Sequence, residues 1–338
     1  MSINSEHRRT RTRSSSSVSQ ASPSFRTGIA LSLVSLALLG VMPIIANLRS
    51  PEIGSLSFAF ALSVWQTLFA LPVFGVAHRR GAHGIFSAVL SGRERRRLAA
   101  VTGLTGCIFG LSTYLYVLGV EKAGAANAAV AIQAYPLFAI LWETLFLKRR
   151  KTVLELVLTA LLIGALYYLG TGGTWRMAHL SAWFLVALGV PLLWSIAHVI
   201  IKEELKATPI TPIQVTTFRV VISTIFLFGL LALSAPPALA GAIGAILQPM
   251  SAVMGLVYFL ELIVWFYAVR HVDVSLASSI TTPWPALTMA LSVPLLGDVI
   301  QLHQLVALTF ISVCIYGLMI AGARKARASA ERGRAGTG

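Results

Sequence analysis

The sequence predicts an all-α integral membrane protein with ten transmembrane helices, arranged as two inverted five-helix repeats. Three observations predict it: apolar runs of spanning length, too little charge for a water-facing surface, and a weak internal repeat relating the two halves. Apolar residues fill 56% of 338 positions and charged residues only 12%. A soluble domain carries about a quarter charged residues, because its surface faces water. Here much of the surface must face lipid.

Runs of roughly twenty apolar residues, the length an α-helix needs to cross the hydrocarbon core, fall near 28–48, 55–77, 98–120, 125–147, 152–170, 181–201, 211–233, 250–269, 275–296 and 302–322. Barrel strands would instead alternate over about ten residues. The cations fix the orientation. With the N-terminus in the cytoplasm, 23 of the 27 Lys and Arg residues lie in the two tails and in 78–97, 148–151, 202–206 and 270–274. The opposite loops hold only Arg49, Lys122 and Arg176, and Arg219 lies within a span. This is the positive-inside pattern, so both termini are expected in the cytoplasm of a multi-pass protein of the cell (inner) membrane. The net charge of +15 is then orientation signal, with runs such as Arg93-Glu94-Arg95-Arg96-Arg97 against anionic headgroups. No RNP, zinc-finger or helix-turn-helix pattern accompanies it, so no nucleic-acid partner is expected. The expected partners are the lipid bilayer and a small-molecule substrate, and nothing in the sequence sets an oligomeric state.

Residues 1–26 are polar, with Arg8, Arg9, Arg11 and Arg13 ahead of Ser14–Ser17. They cannot bury a core and are expected to be a disordered basic tail, although such Arg- and Ser-rich, acid-poor composition also resembles a transit peptide. Residues 323–338 form a second basic tail. Cys107 and Cys314 fall inside spans and read as small buried apolar residues, not a disulfide or metal pair. No cofactor is expected.

Between the tails, 27–170 and 181–322 form the two units. Shifting the chain by 149 lays Gly106–Pro136 on Gly255–Pro285 without a gap, matching Gly106/Gly255, Leu111/Leu260, Val120/Val269, Ala128/Ala277 and Pro136/Pro285. Spans three, four and five fall on eight, nine and ten, with Tyr135 on Trp284 and Tyr167 on Tyr316. Five spans per half is an odd number, so the halves face opposite ways. Inverted repeats characterise secondary transporters, whose binding sites lie near the midplane between the halves.

Several segments resemble the drug/metabolite transporter superfamily, specifically its family with two EamA-type domains. Leu193-Trp194-Ser195-Ile196-Ala197-His198-Val199-Ile200-Ile201-Lys202 looks like that family's sixth span, and Phe218-Arg219 like its seventh. Trp265-Phe266-Tyr267-Ala268, the Val269–Val274 turn, and Pro285 followed by Gly297-Asp298 look like spans eight and nine. Departures are Asp298 in place of a usual glutamate, Leu39 where a tryptophan is common, and Arg149 where a glutamate is expected. The resemblance implies two inverted halves around a central cavity and traffic of small molecules, often export of amino acids or related metabolites. It implies no particular substrate.

Ionisable groups inside a membrane are costly and so are the first functional candidates: Glu143, His198, Arg219 and Glu261. Glu261 sits mid-span, with Tyr258 three residues before it and Trp265 four after, on one helical face. Such a carboxylate could hold an ammonium group, bind a proton, or simply partner Arg219. His198, one turn after Trp194, suits a proton-coupled cycle or plain packing. Arg219 lies about two turns from the membrane edge, so snorkelling or structural pairing is expected. Pro136, Pro283 and Pro285 free the carbonyls of Ile132, Ser279 and Thr281. Around them cluster Gln133, Tyr135, Ser278, Ser279, Thr281, Thr282 and Trp284, a binding wall or a set of interhelical hydrogen bonds. Pro43 and Pro191 are candidate hinges or simple kinks, and Ser112, Tyr114 and Tyr116 are weaker wall candidates.

No Walker A motif is present, so ATP hydrolysis is not expected. Nor is a His-Glu-x-x-His or Gly-x-Ser-x-Gly motif, and the loops are too short for a soluble active site; an enzyme is not expected. The leading expectation is a secondary transporter, an exporter of small amino-acid-like or related metabolites that works by alternating access. A nucleotide-sugar or phosphate-ester carrier would want several midplane cations, and the sequence offers only Arg219.

Overall fold

The computed structural model describes residues 25–81, 83–86, 90–145, 151–234, 236–272 and 274–335. The expected disorder of the N-terminal tail, Arg149 and the side chain of Glu143 lie outside what it describes. The described residues are all helix and connecting turn. In order they form α1 (Phe25–Asn47), α2 (Ser55–Arg79), α3 (Gly92–Ala123), α4 (Ala125–Ile132), α5 (Tyr135–Leu145), α6 (Val153–Gly170), α7 (Ala182–Ala207) and α8 (Pro212–Ser234). Two short pieces follow, α9 (Pro236–Leu239) and α10 (Ala242–Leu247), then α11 (Pro249–His271), α12 (Val274–Thr281), α13 (Trp284–Leu296) and α14 (Leu302–Ala335).

Among the described residues, eight segments are long and apolar enough to cross a membrane, counting α4 and α5 as one. The remaining two places of the ten expected spans are taken by α11, apolar over Pro249–Trp265, and by the broken pair α12–α13. Local sequence sets the ends. Ser91 with Glu94, and Thr152 with Glu155, form capping boxes that satisfy the free N–H groups opening α3 and α6. Gly297 closes α13 at φ 72°, a left-handed conformation that suits glycine. Where a basic tail is expected from residue 323, α14 continues as helix to Ala335; Ala- and Arg-rich sequence propagates a helix once the membrane span has nucleated it.

The helices pair as an internal two-fold demands. α1 packs along α11 as α3 packs along α7, and α3 packs on α8 as α11 packs on α2. The self-related pairs α2–α8 and α6–α14 also meet. Glycines at repeat-equivalent positions allow the closest approaches. A Cβ on Gly106 would lie 2.5 Å from the Ile222 side chain of α8, and one on Gly255 would lie 2.8 Å from the Leu62 carbonyl of α2. Without a hydrophobic force between helices in lipid, such small residues are what let the backbones touch.

The sharpest departures from simple spans are the two breaks. α4 stops at Ile132 and α5 restarts at Tyr135; α12 stops at Thr281 and α13 restarts at Trp284. Pro136, Pro283 and Pro285 supply the cause, since each removes a helical donor. One freed carbonyl finds a new partner, Tyr316 of α14 donating its hydroxyl to Ser279 O at 2.8 Å, and across the breaks the Gln133 amide donates to Thr282 O. Gln133 and Thr282 are 149 residues apart, the shift of the internal repeat. The two breaks are therefore symmetry mates that touch each other at the centre of the molecule.

Candidate functional site

Beside the touching breaks lies a buried polar cluster drawn from both halves. Arg219 of α8 is 9% exposed and Glu261 of α11 is 8% exposed. The Arg219 guanidinium lies 3.5 Å over the ring of Phe109 and 6.0 Å from that of Tyr258. Its Nη2 donates to the Tyr258 hydroxyl at 3.4 Å, and Tyr258 is also hydrogen-bonded to Thr113. Phe109 and Tyr258 are again 149 residues apart. One cation is thus sandwiched between repeat-equivalent aromatic rings, a favourable place for a guanidinium away from water. The expected snorkelling of Arg219 is corrected here. α8 turns the side chain inward between α3 and α11, where rings and a hydroxyl replace its lost hydration.

Glu261 accepts a hydrogen bond of 3.0 Å from Ser35 of α1 and lies within electrostatic reach of Arg219. A carboxylate and a guanidinium so share one water-poor space, with the Tyr258 hydroxyl beside them, which suits a dipolar guest as well as it suits internal compensation.

His198 lies further along α7, towards its C-terminal end. Its ring packs 5.4 Å from Phe109 and 5.7 Å from Tyr135. The residue keeps an exposed edge beyond those rings. One turn further, Ile201 lines a small cleft with Leu98, Val101, Thr102, Thr105, Ile210 and Val215, between α3, α7 and α8. The opposite end is closed. Met42, Phe58, Leu62, Val117, Val120, Ala125 and Leu231 are packed in one apolar cluster there. Above it Arg49 pairs with Glu121, which also accepts from Ser55, while Arg49 Nη1 donates to Ala46 O at 2.8 Å. Burial pulls the Arg49 pKa below its ordinary value, and the Glu121 carboxylate opposes that shift.

Of the sequence candidates, Glu261, Tyr258, His198 and Tyr135 come together with Arg219. Trp194 stands at the same level of α7, donating its indole N–H to Ser112 Oγ at 2.9 Å. Trp284 is buried in the apolar cluster that also holds Tyr258. Trp265 is half-buried one turn along α11 from Glu261. Gln133 and Thr281 face the breaks: Gln133 bonds Thr282 O, and the Thr281 hydroxyl donates to Ser278 O at 3.1 Å. Sequence reading missed Phe109, Thr113 and Ser35. The repeat offset applied to Tyr258 would have found Phe109; Ser35, far away in the chain, left no signal.

A chain of paired inverted five-helix units, broken at symmetry-equivalent points beside a buried charged cluster, is a polytopic membrane protein of the inverted-repeat class. The family model described as the EamA-like transporter family matches it twice, over residues 26–171 and 181–320, and the chain belongs to that family. Among solved structures, one described only as a crystal structure of a protein is 13% identical, covers 87% of this chain and 98% of its own, and superposes with a TM-score of 0.52, a likeness of fold. No curated protein matches.

Proposed function

We propose that this protein is a secondary transporter that carries a small zwitterionic, amino-acid-like metabolite by alternating access, acting as an exporter from the cytoplasm. The observation that carries the reading is the pair of opposite charges, Arg219 and Glu261, held buried and apart among aromatic rings. In this reading Arg219 receives a carboxylate and Glu261 an ammonium group, while Phe109, Tyr135, Tyr258 and Trp194 flank an apolar side chain. The single central cation among the described residues favours this over a phosphate ester, which would call for several. The small cleft at Ile201 and the exposed edge of His198, against the apolar packing and the Arg49–Glu121 pair at the other end, support a state that loads from the side where α1 begins. Membership of a transporter family, and the lack of any catalytic motif, support transport over chemistry.

The test is counterflow in proteoliposomes containing the full chain, with L-phenylalanine as probe. The expected result is saturable, trans-stimulated exchange with the amino acid recovered unchanged. No exchange of any zwitterion, or a chemically altered product, would overturn the reading.

A further inference from the structure

One polar group near the centre is left unexplained by the packing. Tyr116 of α3 is 3% exposed, and its hydroxyl is buried without a hydrogen-bond partner among the described residues. Leaving such a group unpaired is costly, and a phenylalanine would fill the same space without that penalty. The neighbours explain why the position is suggestive. Tyr116 lies two turns beyond Phe109 on α3, about 10 Å towards the closed end. Its hydroxyl is near enough to that of Tyr258 to interact electrostatically, and both rings belong to one buried cluster. Tyr258 is already bonded to Arg219 and Thr113. Tyr116 therefore presents a spare donor beside Tyr258, the hydroxyl that already holds Arg219, and a carboxylate bound to that guanidinium would need a second donor.

We propose that the Tyr116 hydroxyl is a substrate-binding and specificity-determining group, donating a hydrogen bond to the carboxylate of the transported molecule beside Arg219. This rests on the zwitterion reading above and adds to it a residue and a role. In the present state the apolar packing that includes Val117 and Val120 encloses the hydroxyl, and the donor waits unpaired. Substrate held by Arg219 and turned towards the closed end satisfies it, so the polar group favours the loaded site over the empty one.

The experiment compares wild type with Tyr116→Phe in proteoliposomes, using L-phenylalanine and its decarboxylated analogue phenethylamine, alongside thermal unfolding of the purified full chain. A charge-assisted hydrogen bond predicts that Tyr116→Phe raises the L-phenylalanine KM about tenfold. Competition by phenethylamine should stay unchanged, so discrimination for the carboxylate narrows by that same factor. The melting temperature should hold or rise, because no internal bond is lost. Unchanged phenylalanine KM overturns the proposal, and so does a parallel loss of melting temperature, which marks a structural bond. Wild type that exchanges neither compound overturns the zwitterion reading itself, and this proposal falls with it; wild type that exchanges phenylalanine while the variant is indistinguishable from it sinks only the role of Tyr116.

Discussion

Helices α3 and α11 occupy equivalent places in the two halves, yet only one carries charge at the centre. The shift of 149 sets Phe109 on Tyr258, Ser112 on Glu261 and Tyr116 on Trp265. The scaffold is shared: each helix carries a glycine, Gly106 or Gly255, at its crossing with α8 or α2. The chemistry is not. Ser112 accepts a hydrogen bond from Trp194, whereas Glu261 accepts one from Ser35 and shares the field of Arg219. Symmetry builds the frame, and asymmetric substitution at the matched positions places a single carboxylate in it, where the other half has a serine.

The largest effect that could break this contrast is Glu261→Gln. It should abolish or uncouple exchange while insertion and yield stay normal, whereas Ser112→Ala at the equivalent site should keep most exchange. Flux measured side by side for the two variants decides it, and equal retention of flux and pH dependence would remove Glu261 from the site.

The next comparison sharpens the frame itself. Gly255→Ala puts a Cβ 2.5 Å from Trp65 Cβ and 2.8 Å from the Leu62 carbonyl of α2, and Gly106→Ala puts one 2.6 Å from Ile222 Cβ of α8, in both cases against atoms fixed to the facing backbone. Each should therefore cost about 1–3 kcal/mol, read as unfolding midpoints in one detergent. A variant that melts like wild type would mean that the facing helix shifts to make room.

Smaller again is Tyr258→Phe, which makes the two rings around Arg219 alike. It removes hydrogen bonds to Arg219 and Thr113 and should lower stability by about 1–2 kcal/mol. Tyr116→Phe should lower it not at all. A melting curve for Tyr258→Phe that overlays wild type would show that the guanidinium needs only the rings.

Much of the frame is legible in the residues. Run length gives the spans, because the bilayer thickness fixes how long an apolar helix must be. Pro136, Pro283 and Pro285 mark where the fourth and ninth spans break, because a missing N–H acts locally whatever surrounds it. The site is legible only in part. Glu261, Tyr258 and His198 stand out as polar groups in apolar runs. Arg219 reads from sequence as a residue that reaches for water, because periodicity gives its depth but not the direction of its side chain.

The sequence by itself determined that the chain is a membrane-embedded helical protein of two like halves, since hydrophobic length, cation placement and proline chemistry act over a few residues at a time. Only the tertiary structure decided that Arg219 lies between Phe109 and Tyr258, that Ser35 meets Glu261 across 226 residues, and that Gln133 spans the two breaks. Those contacts depend on how helices distant in the chain rotate against one another, and that rotation is set by the packing of all of them together.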